Sequence, residues 1–464
     1  MRITLIEPAP PGFHVWSFTR QVRLGLPLIG TMLRELGHDV RIYVESLGAV
    51  DWERVIGSDV VGMSTITSTA MRAYRYAERV RNARIPVVIG GPHVTFMPDE
   101  ALRFADYVVR GEGEETMLEL VQALQGVRSP DTILGLSYHD PSDGVPRHNP
   151  ARPLRERLSD LPLPDLTLIE RYRRINPWPV LTSRGCPFDC EFCSVVLMFG
   201  RRVRQTDNAS VIAALRLRGR RKVFFCDDNF VMSKPRTKEL LATMIRRRLG
   251  LKFSAQVRVD AVCSNGRVDY ELLELMREAG CYVVCLGLES ANQETLNAFK
   301  KQQSVSDMTK GLAALRAHGI ATHGMFVFGA DSDTLETCPE TVDFALLNHI
   351  STAQFMILTP LVGTRLWERL EAEGRIYTRD WSLYDGHHVV SLPKHMSPWE
   401  LQQAAIQANK RFYAARRIPG RVGYRTFGFL LSHGWEKVPK NRTYLRQLRA
   451  FSEARKPVSI LGSM

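Results

Sequence analysis

No cysteine occurs before Cys186, and all eight cysteines of the chain lie between positions 186 and 338. A thiolate-ligated metal centre in the N-terminal part is thereby excluded. No apolar run approaches the ~18 residues needed to span a bilayer. The opening Met1-Arg2-Ile3-Thr4-Leu5-Ile6-Glu7-Pro8 reads as a strand and not as a secretory leader. These features place the protein in the cytoplasm, where structural disulfides are rare and grouped cysteines point to metal chemistry. The GxGxxG fingerprint is also missing, which argues against nicotinamide and flavin dinucleotides. At 464 residues, with ordinary apolar and charged fractions, the chain predicts two or three soluble domains.

Charge is uneven. Of the net +13, about +10 falls between Glu400 and Met464, where 13 Lys or Arg face only Glu400, Glu436 and Glu453. Aromatic residues are interleaved there, including the short run Phe427-Gly428-Phe429-Leu430-Leu431. Such a tail suits an anionic membrane surface or an acidic protein partner, or is a solvated helical appendage; nucleic acid is the less favoured option.

The pattern divides the chain into four parts. Residues 1–130 alternate strands (Ile3 to Glu7, Val40 to Val44, Val60 to Met63, Val87 to Ile89, Tyr107 to Arg110) with helices near Leu26 to Leu36, Ala70 to Ala83 and Glu114 to Leu124. This predicts a doubly wound α/β sheet of about five parallel strands. Residues 131–176, rich in Pro and Asp, read as a connector. Over 177–380, six strand and helix units predict a partial (βα)6 TIM-like barrel. Their strands are Val180 to Ser183, Lys222 to Cys226, Lys252 to Val257, Tyr282 to Leu286, Thr322 to Phe328 and Ala353 to Leu358. Residues 381–464 form a basic, helical C-terminal extension.

Directly after the first barrel strand stands Ser183-Arg184-Gly185-Cys186-Pro187-Phe188-Asp189-Cys190-Glu191-Phe192-Cys193. Three thiolates so close can hold three irons of a [4Fe-4S] cubane and leave the fourth iron open. A zinc site would want a fourth Cys or His nearby. The other cysteines (Cys226, Cys263, Cys281, Cys285, Cys338) lie mostly in strand-like runs and read as buried structural residues, although Cys281 and Cys285 would share one strand face.

CxxxCxxC with an aromatic before the third Cys resembles the radical S-adenosylmethionine (SAM) superfamily, in which the open iron chelates SAM and a 5′-deoxyadenosyl radical forms. The resemblance implies that Cys186, Cys190 and Cys193 bind the cluster and that Phe192 lies near the adenine. It implies that Asp227 or Asp228 receives the SAM amino group and that Arg258 meets its carboxylate. Glu289 and Ser290 would contact ribose or carboxylate, and Phe328 and Gly329 would line the adenine. No side chain is assigned to acid–base catalysis.

The N-terminal domain carries Ser64-Thr65-Ile66-Thr67-Ser68 after its third strand, Gly90-Gly91-Pro92-His93 after its fourth and Gly111-Glu112-Gly113-Glu114 after its fifth. These stretches resemble the cobalamin-binding domain of B12-dependent radical SAM proteins, the group that includes hopanoid and bacteriochlorophyll methylases and the anaerobic porphyrin-ester cyclase. By that resemblance Ser64, Thr65, Ser68, Gly90, Gly91, Pro92, His93, Gly111 and Glu112 serve cobalamin. Small residues suit close approach to a flat corrin, and hydroxyls suit its amide rim. The DxHxxG loop is absent, and His14 and His93 are weak candidates for a ligand to cobalt. His387 and His388 read as substrate or cofactor contacts or as a surface turn.

The expected activity is C-methylation at an unactivated carbon of a lipid or other small molecule, using the cluster, SAM and cobalamin. The alternative is radical cyclisation without net methyl transfer. tRNA methylthiolation is disfavoured because that family carries cluster cysteines in its first domain, and a mere cobalamin carrier has no use for CxxxCxxC. Expected partners are an electron donor such as flavodoxin or ferredoxin and, through the basic tail, peripheral contact with the inner face of the membrane.

Overall fold

Residues 1–10, 12, 20–219, 221–414 and 434–454 are described in the computed structural model. They form two compact units. One comprises the described residues of 1–12, 20–187 and 194–221; the other comprises 188–193 and those from 222 onward.

Buried Val and Ile runs build the first unit's sheet: β1 (Arg2–Glu7), β2 (Asp39–Val44), β3 (Val60–Ser64), β4 (Val87–Gly90), β5 (Tyr107–Val109), β6 (Leu136–His139) and β7 (Pro146–His148). The order is β2-β1-β3-β4-β5-β6-β7, with the first five parallel. The five parallel strands match the sequence reading. The connector departs from it, because β6 and β7 extend the sheet in antiparallel pairing. Helices α1 (Gly25–Glu35), α2 (Ala70–Asn82) and α3 (Glu114–Leu124) bury one apolar stripe each, with α1 packed on α3 and β2. Strand order reverses between β1 and β3, so their carboxyl ends flank a topological switch point, where folds of this kind bind ligands.

In the second unit, β8 (Val223–Phe225), β9 (Phe253–Val257), β10 (Cys281–Glu289), β11 (Ala321–Phe328) and β12 (Thr352–Ile357) lie side by side in chain order and parallel. Helices Lys234–Arg246, Tyr270–Glu278, Val305–Ala317 and Thr337–Leu347 occupy successive connections. This is the repeating βα pattern expected for a partial barrel. The first barrel strand, expected over Val180 to Ser183, instead covers Trp178–Val180, within the first unit, and Ser183–Arg184 is a separate short strand.

The extension packs as helices. α5 (Pro398–Ala414) lies on β12 and on Thr337–Leu347, and α6 (Pro439–Ala454) lies on α5; a helix between, α4 (Arg365–Ala372), precedes them in the chain. His388 is buried, with Nδ1 2.9 Å and 3.0 Å from the two oxygens of Asp385 and Nε2 3.2 Å from Asn441 of α6. It is therefore an internal tie holding α6, neither a surface turn nor an open ligand contact. No helix among the described residues is long and apolar enough to cross a membrane. His14 and the run 427–431 lie outside the described residues.

Candidate active site

The cysteine loop is tied down by charge. In the second unit Arg365 NH1 lies 2.7 Å from Asp189 Oδ2, and its NH2 donates to the Asp189 carbonyl at 2.6 Å. One turn on, Arg369 Nε donates to Glu191 Oε1 at 2.6 Å, and Leu366 N–H donates to the Glu191 carbonyl at 3.2 Å. Spacing of i and i+4 on α4 puts both guanidiniums on one face, against the two acids that flank Cys190. Asp331 anchors Arg369 from behind at 2.7 Å and also takes Arg375 at 2.7 Å. Burial opposes ionisation of Asp331, but Arg375, Lys394 and Arg369 hold its carboxyl well below the usual range.

Within that loop Cys193 N–H donates to the Cys190 carbonyl at 3.2 Å. Cys186, Cys190 and Cys193 are all partly exposed and none is in a disulfide. Among the described residues no three His, Cys, Asp or Glu side chains converge on a point that would hold a single ion. A cubane instead takes each thiolate on a separate iron. Three partly exposed thiols so close in sequence fit that donor set. Cys281, Cys285 and Cys338 do not: burial pushes the Cys285 and Cys338 thiols up to about 12 and Cys281 further, which keeps them protonated.

The loop's aromatics meet the strand ends of the second sheet. The Phe188 ring lies 3.6 Å from the Arg258 guanidinium, a cation–π contact. Phe192 packs edge-on against Phe299 at 5.1 Å, and like Val327 it lies against the core cluster that includes Leu366. Arg258 is 6 % exposed and already paired: Nε lies 3.1 Å from both oxygens of Asp260, and NH2 donates to Asp260 Oδ2 at 2.9 Å and to the Lys301 carbonyl at 2.5 Å. A ligand carboxylate must share this guanidinium with Asp260.

Asp227 is wholly buried, whereas Asp228 is open to solvent. Desolvation in a protein-lined recess, and then the Asp227 charge, push the Asp228 carboxyl up to about 6. Of the two acids left open by the sequence, Asp228 is the one a ligand amine can reach. Glu289 adopts φ 62° at a register shift in β10 and pairs with Lys301 at 2.6 Å. A Cβ on Gly287 would stand 2.7 Å from Glu289 Oε1, so any side chain there would make the carboxylate end of the pair shift. Ser290 is buried and accepts from Asn292 N–H at 3.0 Å. Phe328 is a core residue, 1 % exposed and stacked on Phe355, so that strand end presents its backbone and Val327 instead. Gly329 (φ 101°) and Ala330 donate their N–H groups to Asp333 Oδ2 at 2.9 Å and 3.0 Å.

In the first unit, Gly90 and Gly91 let the ends of β3 and β4 touch backbone to backbone. Thr65 N–H donates to the Gly90 carbonyl at 2.8 Å, and a Cβ on Gly91 (φ 106°) would lie 2.3 Å from the Thr65 carbonyl oxygen. What this edge exposes is small or apolar: Ser64, Ile66, Gly90, Gly91, Pro92 and Gly111. Small and apolar residues at adjacent strand ends leave room for close approach by a flat corrin. Four expected contacts are turned inward instead. Thr65 and Ser68 are buried, with Thr65 Oγ1 3.3 Å from the Gly90 carbonyl. His93 has no exposed surface; its Nε2 lies 3.3 Å from Glu100, which also accepts from Tyr74. The expectation that His93 meets cobalamin is therefore corrected: it lies on the buried face of the helix Pro92–Phe96 and is a core residue. The Glu112 carboxylate is engaged by Arg184 and Arg204, which hold it below the usual range although burial alone would raise it.

Sequence reasoning missed Phe299, Lys301, Asp260, Arg365, Arg369 and Asp331. The i, i+4 arginines of α4 were the one available signal, since the pair matches the acids on either side of Cys190.

Residues 180–345 match the radical SAM superfamily and residues 20–121 match the B12 binding domain. An uncharacterised methyltransferase of Pyrococcus horikoshii is 33 % identical over 427 residues, covering 88 % of this chain and 91 % of its own. The anaerobic magnesium-protoporphyrin IX monomethyl ester cyclase of Rubrivivax gelatinosus is 29 % identical over 76 % of this chain and 66 % of its own. The radical SAM methyltransferase TsrM of Kitasatospora setae, solved with tryptophan and a SAM analogue, shares the fold at TM-score 0.68 and 19 % identity, over 95 % of this chain and 99 % of that one. With both domains matched and a relative sharing a third of its residues over nearly the full length of each chain, the protein belongs to the B12-binding radical SAM methyltransferase family, whose cofactors are a [4Fe-4S] cluster, SAM and cobalamin.

Proposed function

We propose that this enzyme methylates an unactivated carbon of an apolar or lipid-like small molecule. The observation that carries the proposal is the packing of Phe188 on Arg258 and of Phe192 on Phe299, which joins the cysteine loop to strand ends bearing opposite charges. When bound, the cluster and SAM supply a carbon-centred radical that removes a substrate hydrogen, and the corrin supplies the methyl group. The protein binds and orients. Asp228, ionised at neutral pH, receives the SAM ammonium, and Arg258 receives its carboxylate in exchange for part of its bond to Asp260. Phe192, Phe299, Val327 and Leu366 keep water from the adenine side. Cys186, Cys190 and Cys193 hold the cluster, and the exposed floor from Ser64 to Gly111 holds the corrin.

The cyclase relative supports a second reading, ring formation without methyl transfer. Anaerobic turnover of the reconstituted enzyme with SAM and candidate lipids or tetrapyrrole esters separates the two. A product heavier by one methylene supports methylation, and a dehydrogenated ring of unchanged carbon count supports cyclisation. We place the enzyme in the cytoplasm, with an acidic electron donor such as flavodoxin or ferredoxin and a weak membrane contact through its basic tail.

A further inference from the structure

Glu112 stands in the turn after β5, in the stretch matched to the B12 binding domain, yet its carboxylate points to the cysteine loop's entry strand. Oε1 accepts from Arg184 NH1 at 2.9 Å and from Arg204 NH2 at 2.9 Å, while Oε2 accepts from Arg204 NH1 at 2.8 Å. Glu114 takes the other nitrogen of Arg184 at 2.7 Å. Side-chain exposure is 7 % for Glu112, 10 % for Arg184 and Glu114, and 4 % for Arg204. Arg184 precedes Cys186 by two residues. On the far side of that cysteine, Arg204 also donates to the Phe199 carbonyl at 3.0 Å, and Cys186 N–H donates to the Gly200 carbonyl at 3.2 Å. A Cβ on Gly185 would stand 2.4 Å from the Arg202 carbonyl oxygen, so the chain on both sides of Cys186 is closely packed.

Two buried carboxylates and two buried guanidiniums balance in charge, but such a network is poor value for stability alone, since well-packed apolar residues do as well or better. Its use is geometry: bidentate forks fix orientation as well as distance. We propose that Glu112 is a positioning residue that couples occupancy of the corrin floor to the environment of the cluster at Cys186. The turn Gly111–Gly113 presents Gly111 to that floor and Glu112 to the loop, so a displacement of one moves the other. Linkage makes the coupling reciprocal. The proposal rests on the cofactor assignment above.

The test uses the full-length enzyme, anaerobically reconstituted, with and without hydroxocobalamin. In each sample iron, sulfide and corrin absorbance are measured, and the midpoint potential of the cluster is followed by electron paramagnetic resonance. Wild type is expected to shift its cluster potential when the corrin is added. Glu112→Gln is expected to keep wild-type iron and corrin contents and to lose more than half of that shift; Glu112→Asp, which retains the charge, should recover part of it. An equal shift in wild type and Glu112→Gln, or no shift in wild type, overturns the proposal. If Glu112→Gln does not fold, Arg204→Lys, which keeps the charge without the fork, is held to the same criteria. A wild-type protein that binds no corrin or no cluster brings down the cofactor assignment itself, and the metal and absorbance values report that separately.

Discussion

Two parallel sheets in this chain end in different chemistry. At the carboxyl edge of the first, β3, β4 and β5 run into Ser64, Gly90, Gly91 and Gly111, and the carboxylate and imidazole nearby are turned inward. At the carboxyl edge of the second, β8, β9 and β10 run into Asp228, Arg258 and Glu289. The first edge offers backbone and smooth surface, suited to a large flat ligand whose binding is spread over area. The second offers separated opposite charges, suited to a small zwitterion. Similar strand and helix arithmetic thus yields two edges of different chemistry, and the residue just past each strand decides which.

The largest effect expected on the first edge is from Gly91→Trp. Any side chain here meets the Thr65 backbone at a φ that L-residues rarely adopt, a strain of roughly 1–3 kcal/mol before the indole blocks the floor. Corrin absorbance should vanish from the purified protein while cluster iron stays at wild-type content; retained absorbance would break the assignment of that edge. On the second edge, Arg258→Ala should raise the SAM concentration for half-saturation by roughly 10- to 100-fold, from a charge-assisted pair of about 1.5–3 kcal/mol, with corrin content unchanged. Equilibrium binding of SAM to the reconstituted protein checks this.

Asp228→Asn sharpens the contrast further, because stability and binding should move in opposite directions. The folded carboxyl titrates at about 6, above its ordinary 3.8. Its favourable contribution is therefore complete below 3.8 and is lost as pH rises through about 6. The amide removes that loss, so melts should show the variant gaining at most about 1 kcal/mol at neutral pH, given the solvent exposure of the group, and nothing under acid conditions. SAM affinity should fall over the same neutral range. A variant that loses stability at neutral pH would contradict the recess assigned to Asp228.

The smallest effect concerns the tail, at up to ~1 kcal/mol per well-placed basic residue. Cosedimentation with anionic liposomes should be measurable at low salt and should disappear at high salt, given a Debye length of ~8 Å at physiological ionic strength. Equal partitioning to neutral liposomes, or none to either kind, leaves an acidic protein partner for that surface.

Strand ends were legible because apolar period and a following Gly, acid or Arg are local signals. Arg258 and the glycines at 90–91 could be named from them. Pairing across long intervals was not legible. The strands Leu136–His139 and Pro146–His148 are short and one begins with Pro; the edge of β5 pairs with the first, and the first in turn pairs with the second. Glu112 looked like a ligand contact because its partners, Arg184 and Arg204, lie 72 and 92 residues on. His93 looked accessible because nothing local shows that Glu100 and Tyr74 enclose it.

We propose that cluster and corrin are held by different sets of residues, the motif cysteines and the strand ends from Ser64 to Gly111. This is tested most directly by replacing Cys186, Cys190 and Cys193 together with Ala and measuring, in one anaerobic preparation, iron, corrin and 5′-deoxyadenosine. The expected result is no cluster iron and no 5′-deoxyadenosine, with corrin retained close to the wild-type amount. Continued cleavage of SAM under reducing conditions, or loss of corrin together with the cluster, would contradict it.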